Sequence, residues 1–170
     1  MIPLPQAIVA IVVAQRFGEL AWARHNTNRL MALGAAEAGA NHYPLIVLLH
    51  AAWFVSLIAF LPKNPTISTV PLTLFVMLQI VRGWVLFTLG SYFTTRIITM
   101  HNAPLVRRGP YRFIRHPNYL VVMGEILLLP LALREIGVAV LFAALNALLL
   151  FWRIRVEDRA LAPRQHIHSS

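Results

Sequence analysis

Five apolar runs, spaced along the whole chain, limit what this sequence can fold into. They cover roughly residues 2–14 (continuing as one helix to about 31), 44–61, 70–91, 119–133 and 136–152. A helix that crosses a bilayer needs about 20 residues, with a range of about 17–25. The second and third runs meet that length, and the first does if it continues through "QRFGELAW". The last two are short and are separated only by "LREIG". They read as a tight helical hairpin that thins the bilayer locally. Pro130, Gly137 and the Arg134–Glu135 pair favour a turn there over one long bent helix. Composition agrees, with 58% hydrophobic and 12% charged residues, where a soluble domain carries about a quarter charged. The fold class expected is therefore all-α, an integral membrane bundle of about five transmembrane helices in a single domain, 1–170.

The formal net charge is +9. On a soluble protein that balance suggests nucleic acid. On a membrane protein it reads as a cytosolic face rich in arginine, close to anionic lipid, and no nucleic-acid partner is expected. With the N-terminus outside and five helices following, twelve arginines fall inside: Arg16, Arg24, Arg29, Arg96, Arg107, Arg108, Arg112, Arg115, Arg153, Arg155, Arg159 and Arg164. Only Lys63 and Arg134 fall outside, and Arg82 lies within a span. This asymmetry orients a multi-pass protein in a bacterial-type cytoplasmic membrane with its C-terminus in the cytosol. The N-terminal run lacks a basic n-region and reads as an anchor, not a cleavable signal. The polar-interrupted segment 15–43 reads as a helix leaving the membrane or lying along it. There is no cysteine, so disulfides and thiolate metal sites are excluded, and no metal site is expected.

Polar groups at membrane depth are expensive and often functional. His50, Arg82, Glu125 and Asn146 each lie roughly 9–14 Å from the expected cytosolic ends of their helices, at about 1.5 Å per residue. They could share one layer. Arg82 and Glu125 are the obvious ion pair, either the floor of a reaction chamber or an interhelical clamp. His50 and Asn146 fit the clamp better.

The densest chemistry lies in "LVRRGPYRFIRHPNYL", residues 105–120. Gly109–Pro110 and His116–Pro117 form turns, and Pro117 suits the first position of the next helix. The N–H groups of that helix start, with Arg112, Arg115 and His116 beside them, suit a carboxylate or phosphate. Tyr111 and Tyr119 offer aromatic faces to a base or a sulfonium. A plain basic loop that meets lipid headgroups explains the same composition.

"GPYRFIRHPNYL" resembles the signature of the isoprenylcysteine carboxyl methyltransferase family, membrane enzymes that use S-adenosylmethionine. "LGSYFTTRI" and "LVRRGPY" lead into it as in family members, and "RIRVEDRAL" at 153–161 resembles the family's Arg-x-x-x-Glu element. The N-terminal "GELAWARHNTNRLMALGAAEAGANHYPLIVLLH" is similar to bacterial members. The resemblance implies an S-adenosylmethionine pocket facing the cytosol. Its wall would include Pro104, Leu105, Val106, Tyr111, His116, Pro117, Asn118, Tyr119 and Glu157, with Arg153 toward the acceptor. Arg153 and Glu157, four apart, share a helix face. Residues 1–95 would then be N-terminal helices and 96–170 the cofactor-binding catalytic region.

Methyl transfer to a carboxylate needs alignment and exclusion of water more than it needs a base. A phenolic acceptor needs a base or a cationic neighbour that favours the phenolate, for which His116, Glu157 or Arg153 are candidates. The expected acceptor is a lipophilic small molecule or a lipidated one, met at the membrane. Two other classes fit the chain less well. A membrane oxidoreductase of sterol-reductase type would need a nicotinamide site, and no Gly-rich dinucleotide fingerprint is present. A non-catalytic protein that binds anionic lipid leaves the Arg153–Glu157 element unexplained.

Overall fold

A computed structural model describes residues 3–62, 66–100 and 106–165. Pro104 and Leu105, both expected at the site, lie outside the described residues. Five helices run α1 (Leu4–Ala32), α2 (Tyr43–Ala59), α3 (Thr69–Leu89), α4 (Pro117–Ala132) and α5 (Ile136–Gln165). Three of them are long and apolar enough to cross a membrane: Leu4–Ala32, Thr69–Tyr92 and Ile136–Ala160. The other two are apolar but shorter, at 17 residues for α2 and 16 for α4. At 1.5 Å per residue these measure roughly 24–26 Å, slightly less than the hydrocarbon core of a bilayer.

The boundaries follow local chemistry. Pro117 opens α4, where its missing N–H costs nothing. Arg134 closes the α4–α5 hairpin in a left-handed conformation, φ 63°. Pro130 is not at that turn but inside α4, where its carbonyl takes the Glu135 N–H (2.8 Å). Gly137 likewise falls inside α5. The segment 15–43 is not a separate helix. Its first half continues α1 without a break to Ala32, because "QRFGELAWARHNTNRLMA" holds no proline and keeps its buried face at Glu19, Ala23, Asn26 and Leu30.

The second half of that segment forms something the all-α expectation did not include. Strand β1 (Ala36–Ala38) pairs antiparallel with β2 (Ile97–Thr99), in the register Ala36–Thr99, Glu37–Ile98, Ala38–Ile97. The pair joins the α1–α2 connection to the segment after α3. Arg96 bonds Glu37 (2.8 Å) and lies 4.5 Å over the Tyr43 ring. That bond raises the Arg96 pKa further.

An apolar core on α1, α2, α3, α4 and α5 centres on Trp53, Leu57, Phe75, Ile126, Leu129 and Phe142. Lipid-facing side chains such as Ile80, Phe87 and Leu148 remain exposed, as a bilayer-embedded surface requires. Within the bundle, Arg82 pairs with Glu125 as expected (3.0 Å). The pair is half of a closed ring. Arg16 bridges Glu125 (2.6 Å) and Glu19 (2.9 Å), and Arg82 bonds Glu19 through Nε (2.7 Å) and Nη2. Gln79 and Gln15 add amide donors to the two carboxylates. Arg16 is therefore a half-buried partner within the bundle. His50 and Asn146 do not join the ring. His50 Nδ1 donates to the Ile46 carbonyl of its own helix (2.8 Å), and Asn146 Nδ2 has no hydrogen-bond partner.

Candidate functional site

The ends of α1, α3 and α5 and the starts of α2 and α4 meet at one end of the bundle, where the β1–β2 pair also lies. A cavity of about 790 Å³ opens there. Most of its lining comes from residue 96 onward, and Leu30, Leu89, Tyr92 and Thr94 complete it.

Two tight contacts set the wall. The 3-10 turn Gly109–Arg112 packs on the end of α3, with Pro110 buried. Gly109 has φ +56°, and a Cβ there would lie 2.5 Å from Thr88 Oγ1. Only glycine meets both demands. The turn delivers Tyr111 to the cavity. Burial, and secondarily the Glu157 carboxylate, push the Tyr111 phenol well above its ordinary pKa, so it stays a neutral hydroxyl at physiological pH. The second contact is the start of α4. His116 stacks on Tyr119 with centroids 5.3 Å apart and planes 16° from parallel.

From α5, Arg153 and Glu157 reach the same place, as their four-residue spacing predicts. The Tyr119 hydroxyl joins them. It donates to the Glu157 carboxylate and accepts from Arg153 Nε (2.8 Å). Arg153 Nη2 donates to the Thr95 carbonyl (2.7 Å). The Thr95 hydroxyl is shared with Tyr43 (3.1 Å). Two of the guanidinium's nitrogens are thus fixed, and Nη1 is left outside these bonds. His116 lies between two carboxylates, with Nε2 3.3 Å from Asp158 and Nδ1 3.9 Å from Glu157.

Of the residues expected at the site, Val106, Tyr111, His116, Asn118, Tyr119, Arg153 and Glu157 all line the cavity. Pro117 is buried at the head of α4 and does not line it. The helix start offers fewer free amides than its sequence suggested, because the Tyr119 N–H already bonds the His116 carbonyl (3.2 Å). Tyr92, Thr94, Thr95 and Arg96 were not anticipated as site residues. The β-branched residues of 94–99, interrupted by Arg96, mark the stretch as extended after Gly90, but they do not single out Tyr92 or the Thr95 carbonyl.

A family model described as the isoprenylcysteine carboxyl methyltransferase family matches residues 71–163, from α3 to the end of the cavity-lining part of α5. The chain belongs to that family. It is 42% identical over 158 residues to the uncharacterized protein YpbQ of Bacillus subtilis (strain 168), covering 91% of this chain and 94% of that one. An uncharacterized protein of Haemophilus influenzae (strain ATCC 51907 / DSM 11121 / KW20 / Rd) is 24% identical over 159 residues, covering 90% and 92%. No solved structure matches the chain. Membership in the isoprenylcysteine carboxyl methyltransferase family, with three helices able to span a bilayer, makes this a membrane methyltransferase.

Proposed function

We propose that this isoprenylcysteine carboxyl methyltransferase family member transfers a methyl group from S-adenosylmethionine to an oxygen of a lipophilic acceptor, a carboxylate or a phenolic hydroxyl. The observation that carries the proposal is convergence. The segment 111–119 and the Arg153–Glu157 pair, far apart in the chain, line one cavity, where the Tyr119 hydroxyl bonds both Arg153 and Glu157.

The residues present fit the cofactor. Asn118 lines the cavity, and its Oδ1 is buried with no hydrogen-bond partner among the described residues, an acceptor that a ligand N–H or O–H would satisfy. A cavity of about 790 Å³ lies within the range of about 300–1,000 Å³ usual for ligand sites. Tyr111, His116, Asn118, Tyr119 and Glu157 would hold the cofactor, with Val106 on the wall. When bound, S-adenosylmethionine supplies a sulfonium methyl as the electrophile.

The chain's own work is alignment. A carboxylate acceptor is ionised at neutral pH, so Arg153 needs only to position it, through the Nη1 that its other bonds leave over. Tyr119 and Thr95 hold Arg153 in place for that task. A phenolic acceptor gives up a proton, and His116, set between Glu157 and Asp158, is placed to receive it. Arg107, Arg108, Arg112, Arg115, Arg155 and Arg159 are exposed around this end of the bundle. That distribution supports a cytosolic site with the N-terminus outside.

Calorimetry with S-adenosylhomocysteine tests the reading. The parent binds, His116→Ala and Asn118→Ala bind more weakly, and Arg153→Ala binds well but loses turnover. Mass spectrometry of lipid extracts from cells with and without the protein then shows a gain of one methyl group. Binding of NADPH in place of S-adenosylhomocysteine would transfer the site to the oxidoreductase reading.

A further inference from the structure

The short segment Arg112–Phe113–Ile114–Arg115, at the rim of the cavity, has a surface that neither methyl transfer nor the fold explains. Phe113 is 76% exposed and Ile114 45%. Both line the cavity edge, so their faces are bare at its mouth. The segment is not loosely held. The Phe113 and Ile114 amides bond the Pro110 carbonyl (3.2 and 3.1 Å). Pro110 is buried, and Gly109 is locked against Thr88. The apolar tip is therefore presented by a fixed turn. A rigid exposed Phe–Ile pair is unfavourable in water and marks a surface with a partner.

Its place in the fold and its charge say which partner. His116 alone separates the segment from the start of α4, and Leu120, 54% exposed, is the first exposed side chain along that helix. Phe113 and Ile114 thus stand at the end of the bundle where the exposed apolar side chains of α4 begin. Arg112 and Arg115 flank them. The Arg112 guanidinium lies 5.8 Å over the Phe113 ring. The Arg115 side chain is 56% exposed, with Asp158 as an acidic neighbour (3.3 Å). Apolar tips between exposed arginines, next to the start of an apolar helix, match a bilayer edge of acyl chains below phosphates.

We propose that Arg112–Arg115 is a lipid-binding lip. Phe113 and Ile114 dip into the acyl edge of the surrounding bilayer, and Arg112 and Arg115 hold the headgroups of anionic phospholipids. The bilayer then covers the mouth of the cavity on that side. This surface is independent of which acceptor the enzyme methylates.

The full chain has no cysteine, so Phe113→Cys gives a unique attachment point for a bimane fluorophore. The labelled protein is placed in phosphatidylcholine vesicles containing a minor fraction of either brominated phosphatidylcholine or brominated phosphatidylglycerol. Quenching by both lipids is expected, stronger for phosphatidylglycerol at equal mole fraction. Each arginine near the surface favours an anionic lipid by about fivefold. Adding Arg112→Gln and Arg115→Gln should therefore bring the two lipids to equal quenching while the melting temperature stays unchanged. Absence of quenching by either lipid overturns the proposal, whether water or a second protein copy covers the tip. Equal quenching before the arginines are removed also overturns it, because the headgroup charge is then not read.

Discussion

Replacing Glu125 with glutamine tests the closed ring of charges in the bundle. In the parent, Arg16, Glu19, Arg82 and Glu125 alternate in sign around the ring, at 2.6 to 3.0 Å for the bridges Arg16–Glu125, Arg16–Glu19 and Arg82–Glu125. Two positive and two negative groups cancel. Glu125→Gln leaves two guanidinium groups sharing Glu19, a net buried charge of about one, which costs about 3–5 kcal/mol. Arg82→Gln leaves the opposite excess at a similar cost. Removing both leaves Arg16 and Glu19, a neutral i,i+3 pair 2.9 Å apart on one helix. The double variant should then cost about 2–3 kcal/mol less than the sum of the singles. Pairing Glu125→Gln with Glu19→Gln does the reverse. It leaves two buried guanidinium groups with no counter-charge, and should cost more than its sum. Equilibrium unfolding of the purified protein in mixed micelles, followed by tryptophan fluorescence, measures both cycles. Additive losses in both would refute the ring as an energetic unit, and the short distances would then carry no coupling.

Three other outcomes follow from single positions. Burial raises the Glu135 pKa to about 7, and neither carboxylate oxygen has a hydrogen-bond partner. The folded state therefore holds the proton more tightly than the unfolded one, and stability falls as pH rises from about 4.5 to 7. Glu135→Gln should match the parent near pH 4.5 and exceed it by up to about 3 kcal/mol at pH 8, read from pH-dependent melting. Tyr119→Phe removes the hydroxyl that joins Arg153 to Glu157, and should weaken S-adenosylhomocysteine binding by about tenfold in calorimetry, the loss expected for a hydrogen bond to charged groups. At Gly124 a Cβ would sit 2.5 Å from Leu78 Cδ1, so Gly124→Ala should destabilise by about 1–2 kcal/mol, and adding Leu78→Ala should recover part of that loss in the same unfolding assay.

The helices were legible because membrane spans need length and apolarity, and both are written in one dimension. The α4–α5 hairpin was legible from Arg134–Glu135, although Pro130 and Gly137 turned out to lie inside the helices. The Arg82–Glu125 pair followed from the cost of a lone charge at depth. Arg16 and Glu19 did not, because α1 looks like a polar exit from the membrane until its register against α3 is known. Register is a property of packing, and periodicity along one helix does not report it. The β1–β2 pair was hidden for a related reason. "AEA" has no strand signal, and it is a strand only because Ile97–Thr99 stands beside it. The candidate site residues Tyr111, His116, Asn118, Tyr119, Arg153 and Glu157 were named from the resemblance of their motifs to the family's, with the four-residue spacing of Arg153 and Glu157 in support. Thr95 acts through its backbone carbonyl, a group common to every residue, and so leaves no mark in the sequence.

The ring of charges also bears on how the protein is made. Synthesis delivers the helices in order, N-terminal first. Arg16 and Glu19 enter together on α1, three residues apart and already neutral as a pair. Arg82, on α3, then arrives to find Glu19 waiting in the bilayer. Glu125 comes last, on α4, and is matched at once by two guanidinium groups. At no point does the nascent chain have to hold an acidic group in hydrocarbon without a base already beside it. A chain begun after α1 would bring Arg82 into the membrane with no carboxylate from an earlier helix to receive it.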